Sequence, residues 1–473
     1  MSNVEAEGYD PFYDPFVLVT RDGQVNMDSP AKPLFVYNEP ATPQKIEDVS
    51  GLSFFSDSIN IDQCRALWDS LRPWLKEQGY TLYTSSPGYR NERPHLTFFG
   101  EQKHPFAYFV NENPDGINEQ WEFPFVFSAP TMLQFAYGQD EEGRHVIVKP
   151  VQEDTDEFRI LECLFNDKSL LDPTINIGVI PVLDILRREG QVFVIMPRWG
   201  TSIVTEIQYV YEVFDIIESC LNGLVFLHQH RIFHRDIRTE NILINHLQND
   251  SFIDCRNGQH RASMSQEKCL RYALNDFNVS LIFPQQISLE DFRISSYLAS
   301  WGIDDRPYGV LEGELEFNPF LYDVGCLGIF FCEEFQHLSG YMPFYFLAPL
   351  LDGMVTADLD KRLSAVEALS FFKTEKEKLT EDELNLQVDT AVSGEARVHY
   401  WRTYDRWAHV PPEFKKRWKH YQMTKPSWFG KFIRRVIQSS DRGAFIVYKV
   451  RRFEKLIQTS FQSAFYYVQL LYK

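Results

Sequence analysis

At 473 residues the chain exceeds what one compact domain holds, so two or three units are expected. Hydrophobic residues at 44% and charged residues at 24% exclude a disordered chain, and no run of eighteen apolar residues suggests a transmembrane helix. The net charge of −19 is uneven: residues 397–473 carry 17 Lys/Arg against 4 Asp/Glu, a balance of +13, which leaves −32 on the rest. An acidic body argues against nucleic-acid binding, and the basic tail is left as a contact surface.

The opening, MSNVEAEGYDPFYDPF, is acidic and has no basic-then-apolar run, so no secretory signal is expected. The seven cysteines are odd in number, scattered and without a CxxC pair. Neither a disulfide framework nor a zinc site follows, and an intracellular location, cytoplasmic or nuclear, is expected.

Residues 1–60 are turn-rich and contain a short tandem, Tyr9-Asp10-Pro11-Phe12 and Tyr13-Asp14-Pro15-Phe16. From Asp62 to Gln78, residues Cys64, Leu67, Trp68, Leu71 and Leu75 keep helical spacing, with Asp62 as cap and a kink or early end at Pro73. The runs LTFFG (96–100) and FAYFV (106–110) read as strands. Residues 1–120 are expected to be an extension packed on the strand-rich part of the chain.

Between Phe123 and Met196 short apolar strands dominate, with one helical piece among them. After Thr201 the pattern turns helical, interrupted around 240–310. Segment 374–396 is polar and acidic and reads as a linker. In the tail 397–473, Ile446, Val450, Phe453, Ile457, Phe461, Phe465, Val468 and Tyr472 keep helical spacing, flanked by Lys449, Arg451, Arg452 and Lys455. Such a basic amphipathic helix packs on the acidic body, lies on an anionic membrane or binds a partner protein.

The strongest motif is FHRDIRTENILIN, residues 233–245, after a helical stretch from Tyr211 to Gln229. A loop between helix and strand holds side chains at fixed angles. Phosphoryl transfer needs a carboxylate to orient the attacking hydroxyl and an amide oxygen to hold a metal ion. Asp236 and Asn241 stand five positions apart, the spacing of H-R-D-x-x-x-x-N.

This segment resembles the catalytic loop of eukaryotic serine/threonine protein kinases. The resemblance implies Asp236 as catalytic base, Asn241 as magnesium ligand, and Arg238 in place of the usual lysine on the transferring phosphate. Asn275-Asp276-Phe277-Asn278 resembles D-F-G, with Asp276 as the second magnesium ligand and Asn278 where glycine is usual. Residues 246–270 read as an insertion between two strands.

Val146-Ile147-Val148-Lys149 is similar to V-A-I-K, implying Lys149 on the ATP α- and β-phosphates. Its glutamate partner is expected at Glu157, with Glu153 as the alternative. Met196 falls at or near the gatekeeper, and backbone at Pro197 to Trp199 would face adenine. The glycine-rich loop expected before Lys149 is missing from FSAPTMLQF (127–135).

Tyr322-Asp323-Val324-Gly325 resembles the segment whose aspartate braces the catalytic loop. Asp358 to Ala365 resembles the stretch whose arginine, here Arg362, pairs with the glutamate of A-P-E, here Glu312. The decayed A-P-E and the inserted loop resemble divergent fungal kinase-like proteins. Arg235 favours the protein-kinase branch over aminoglycoside-type phosphotransferases. Its expected phosphorylation partners are Ser288, Ser295, Ser296, Tyr297, Ser300 and Tyr308.

The match runs from about Phe123 to Phe372. The implied fold is α+β and bilobal, with a small antiparallel β-rich lobe at 121–200 and a larger helical lobe at 201–373, between terminal extensions. The implied cofactors are ATP and Mg2+, and the implied function is phosphoryl transfer to Ser/Thr hydroxyls of a protein substrate. The missing glycine loop keeps a second reading open, a pseudokinase acting as a binding scaffold.

Overall fold

A computed structural model describes residues 61–85, 91–93, 103–109, 127–128, 135–201, 207–247, 263–296, 314–388, 401–423, 428–439 and 446–453 except 448, with single positions at 55 and 307. The strands LTFFG, the N-terminal tandem, Glu312, Tyr297, Ser300, Tyr308 and the tail beyond 453 lie outside the described residues.

Helix α1 (Ile61–Glu77) opens the described chain. It runs through Pro73, where the spacing predicted a kink or an end. A proline inside a helix costs about 3 kcal/mol. Leu71 and Leu75, buried on either side of it, offset that cost. Asp62 lies within the helix instead of capping it.

After α1 come β1 (Thr81–Leu82), β2 (Thr84–Ser85), β3 (Asn91–Arg93), β4 (Tyr108–Phe109), β5 (Phe127–Ser128), β6 (Ala136–Gln139), β7 (His145–Val151), helix α2 (Asp156–Asn166), β8 (Asp184–Arg188) and β9 (Gln191–Pro197). Five of these strands form one antiparallel sheet in the order β1-β6-β7-β9-β8. Strands β2, β3 and β5 make a separate small sheet within the connection from β1 to β6.

Alternation divides the large sheet into two buried faces. Val146, Val148, Phe193 and Ile195 pack with Leu67, Trp68, Leu71 and Leu75 of α1. Ile147, Val151, Val192, Val194 and Met196 face the main core. The expected N-terminal extension therefore supplies the edge strand and one cover of this sheet, and the unit begins well before residue 121. The opposite edge, β8, ends on Arg187 and Arg188, charges that blunt an exposed strand edge.

The helical part is built on α3 (Val210–Gln229), most of whose residues are buried. Glu212 accepts hydrogen bonds from the backbone N–H of Gln208 at 2.7 Å and Tyr209 at 2.9 Å, closing its first turn. Around α3 stand β10 (Ile232–Phe233), β11 (Ile242–Ile244), β12 (His246–Leu247), β13 (Tyr272–Leu274), β14 (Leu281–Ile282), β15 (Ile294–Ser295), β16 (Glu316–Phe317), α4 (Pro319–Phe335), α5 (Leu347–Val355) and α6 (Ala365–Lys376). The segment expected as an insertion does connect two paired strands, β11 and β13. Its own β12 pairs in parallel with β4.

The backbone before β8 closes on α3 where Gly178 meets Gly223. A Cβ built on Gly223 would stand 2.2 Å from the Gly178 carbonyl oxygen, so only glycine allows the approach.

Two segments differ from their expected roles. The first is the linker 374–396, whose residues through 388 are docked. Lys376 ends α6 and reaches Glu218 at 2.8 Å. Beyond the short helix α7 (Glu381–Leu384), Val388 N–H donates to the Gln208 carbonyl at 2.8 Å, and Val210 N–H to that of Leu386 at 3.0 Å. Leu379, Leu384 and Val388 pack against the core, a sparse apolar pattern that the surrounding acids masked.

The second is the start of the basic tail, where Trp401, Arg406, Trp407 and Val410 are buried. Arg406 Nε meets Asp352 Oδ1 of α5 at 2.7 Å. The chain continues through α8 (Pro412–Trp418) and α9 (Trp428–Ser439).

Candidate active site

Lys149 lies on β7 and, by alternation, on the face that carries Ile147 and Val151 toward the main core. Its Nζ stands 2.6 Å from Glu157 Oε1 and 3.0 Å from Asp276 Oδ1. Three residues far apart in sequence thus meet at one ammonium. Burial alone would lower the Lys149 pKa, but the two carboxylates outweigh it and hold the ammonium above its ordinary value. Burial opposes ionisation of Asp276 as well, and the Lys149 charge outweighs that too, keeping the carboxyl below its usual range.

Glu157 reaches Lys149 from the first turn of α2. Thr155 caps this helix, accepting from Phe158 N–H at 3.2 Å, and Phe158, Ile160, Leu161 and Leu164 bury its inner face. The alternative partner, Glu153, instead pairs with Arg187 at 3.1 Å on the surface.

The loop after α3 is held from below by Asp323 of α4, which is fully buried. Its two oxygens accept the backbone N–H groups of His234 at 2.8 Å and Arg235 at 2.9 Å. This support lets Arg235 keep a left-handed backbone, φ +74°. The Arg235 guanidinium donates to the Val279 carbonyl at 3.0 Å. His234 Nε2 bonds the Asn275 carbonyl at 3.0 Å, and Asn275 N–H donates to the Asn241 carbonyl at 2.9 Å. The loops of Asp236 and Asp276 are therefore stitched together.

Asn241 Nδ2 donates to the Asp236 backbone oxygen and to Asp236 Oδ2, each at 2.8 Å. The other carboxylate oxygen, Oδ1, is buried and has no hydrogen-bond partner among the described residues. Such an oxygen can accept a proton from a group brought beside it.

Several sequence expectations meet a different geometry. Arg238 is exposed, and its Nε is paired with Glu240 Oε2 at 2.7 Å. The left-handed backbone in this stretch falls on Asp276, φ +67°, and not on Asn278, so the residue in the glycine position carries no such demand. The glycine-free stretch 127–135 is only part of the connection that precedes β6. The strand pairing with β6 is β1, so the linking stretch is 83–135, and Gly88 within it lies outside the described residues.

Met196 is buried on the core-facing side of β9. At the following link, Arg198 N–H is spent on the His145 carbonyl at 3.0 Å, and Gly200 is tied to Ile244 in both directions at 2.8 Å.

A cluster that sequence reasoning missed lies beside this link. The Arg198 guanidinium covers the Tyr137 ring at 3.6 Å from its centroid and donates to the Tyr83 hydroxyl at 3.1 Å. Tyr83 in turn bonds His145 Nδ1. Burial and the Arg198 charge push His145 down to about 3, so its imidazole is neutral. Tyr137 pairs with Ile147 across β6 and β7, which puts these groups on the face that also carries Lys149. Alternation along His145, Ile147 and Lys149 was the signal that could have revealed it.

Two oxygen donors, the Asp276 carboxylate and the Asn241 amide, are the hard ligands that Mg2+ takes from a protein when phosphate supplies others. Among the described residues no group of three His, Cys, Asp or Glu forms a cation site. The orphaned buried Oδ1 of Asp236 beside this pair fits a site that receives a further polar group.

No family model matches the chain. Over 108 residues it is 27% identical to cell division control protein 2 homolog 3 from Trypanosoma brucei brucei, a stretch covering 22% of this chain and 35% of that protein. The chain thus matches about a third of the length of this curated relative, and the similarity is partial.

Proposed function

We propose that the chain has a bilobal protein-kinase-like architecture and transfers a phosphoryl group from ATP to a hydroxyl of a protein substrate. The observation that carries this reading is the meeting of Lys149 with Glu157 and Asp276 at 2.6 and 3.0 Å. A half-buried cation held between two carboxylates, beside a carboxylate with an unsatisfied oxygen, suits phosphate binding next to a proton acceptor. The partial similarity to a cell division control protein 2 homologue supports the same class.

In this reading Lys149 grips the α- and β-phosphates and Glu157 keeps its chain extended toward them. Asp236 Oδ1 orients the substrate hydroxyl and takes its proton as the new O–P bond forms and ADP leaves. The Asn241 amide holds the other oxygen, Oδ2, and so fixes the direction of attack. Asp276 and Asn241 would hold Mg2+, which supplies charge neutralisation on the phosphate oxygens when bound. Met196 would lie beside the adenine ring.

The test is phosphate incorporation by intact mass, with magnesium and ATP, in wild type and Asp236→Asn. Incorporation that disappears in the variant supports the assignment.

A second reading, a scaffold without turnover, is favoured by one observation. Arg198 stacked on Tyr137, opposite Ile147, fills the side of the sheet where adenine would enter. If wild type gains no phosphate and Mg·ATP does not raise its melting temperature, this reading replaces the first.

A further inference from the structure

The end of the described chain is amphipathic and strongly basic. Residues 428–453 contain seven Lys/Arg against Asp441 as the one acid. Helix α9 itself carries Lys431, Arg434 and Arg435 and no acid. Its Trp428 is 80% exposed and Phe432 55%, one turn apart on the same side. Ile433 and Val436, on the neighbouring side, are half-buried.

The next helical stretch, 446–453, repeats the arrangement. Val447 is buried, so one side of it is already packed. Ile446, Val450 and Phe453, at i, i+4 and i+7, form a separate stripe between 52% and 64% exposed. The cover over Val447 leaves Ile446, Val450 and Phe453, and the pair Trp428 and Phe432, more than half exposed.

We infer that helix α9 and residues 446–453 form a peripheral membrane-binding element, and that its occupant is a bilayer surface rich in anionic phospholipid headgroups. Large apolar side chains beside lysine and arginine match an interface whose acyl boundary takes the rings and whose headgroups take the cations. Tryptophan at the rim of such a stripe suits the headgroup level. Charge complementarity also orients the molecule. Residues 397–473 hold +13 and the rest −32, so an anionic surface attracts this end and repels the body.

The experiment is flotation of the full chain with phosphatidylcholine vesicles with and without phosphatidylserine. The protein should float with the anionic vesicles alone, and added salt should weaken the association. Each cation near the surface changes partitioning roughly fivefold, so Lys431→Glu with Arg435→Glu should reduce binding by well over tenfold. Trp428→Ser with Phe432→Ser should remove binding as well. Both pairs lie on exposed positions, so the thermal transition should stay where it is in wild type. Equal flotation with neutral and anionic vesicles overturns the inference, as does binding that survives both double variants. Self-association of the chain without vesicle binding also overturns it, and makes a second copy the cover of the stripe.

Discussion

Asp352→Ala should destabilise the protein by about 4 kcal/mol. Asp352 is buried, and three donors converge on it: Arg406 Nε at 2.7 Å, Trp407 Nε1 at 2.7 Å and Met423 N–H at 2.8 Å. Removing it deprives the Arg406 side chain, 1% exposed, of its carboxylate and leaves neutral acceptors such as the oxygens of Gln336 and Trp401, each at 2.9 Å. An abandoned buried charge costs about 3–5 kcal/mol, and a lost hydrogen bond to a charged group about 1.5–3.

The assay is urea unfolding followed by tryptophan fluorescence, which Trp401 and Trp407 report at the site itself. The double variant Asp352→Leu with Arg406→Met should recover part of the loss, because no buried ion is then left unpaired, although Trp407 Nε1 and Met423 N–H still lose their acceptor. A loss below about 1 kcal/mol for Asp352→Ala would refute the reasoning, since the pair would then be solvated in solution. A double variant as weak as the single one would refute it too.

Other expectations rest on the same geometry. Lys149→Met should abolish phosphate incorporation and also lower the thermal midpoint, because Glu157 and Asp276 lose the cation between them. Arg198→Ala should tighten Mg·ATP binding by about tenfold in calorimetry if the stack on Tyr137 closes the adenine side, since such a stack is worth about 1–2 kcal/mol. Gly223→Ala should cost about 2 kcal/mol in urea unfolding despite alanine's higher helix propensity, because its Cβ would press on the Gly178 carbonyl. Burial raises the Asp215 carboxyl to about 6, although Lys376 at 3.5 Å opposes the shift. The folded state binds this proton more tightly than the unfolded chain, so the stabilisation is full below about pH 4 and lost as pH rises through about 6. Asp215→Asn should flatten that decline in the urea midpoint.

Local sequence determined a good deal of this protein. Asp236 and Asn241 are five residues apart in one loop, so their pairing needed no long-range information. The sheet and its α+β class were legible because Val146, Val148, Phe193 and Ile195 alternate with residues of the opposite face. Helix α1 was legible from its periodicity, apart from its passage through Pro73, which depended on burial of Leu71 and Leu75 by the sheet.

Tertiary structure decided the rest. Glu157 over Glu153 as the partner of Lys149 depends on the direction in which α2 leaves the sheet, and spacing along the chain does not encode that. The strand beside β6 proved to be β1, and no local signal marks an edge strand of two residues separated from its neighbour by so long a connection. The docking of 374–388 and 401–423 was hidden because both segments look polar by composition. A few side chains such as Leu384, Val388, Trp401 and Trp407 bury surface only once α3 and α5 offer them a partner. Composition averages over a segment, whereas burial is settled residue by residue by what packs against it.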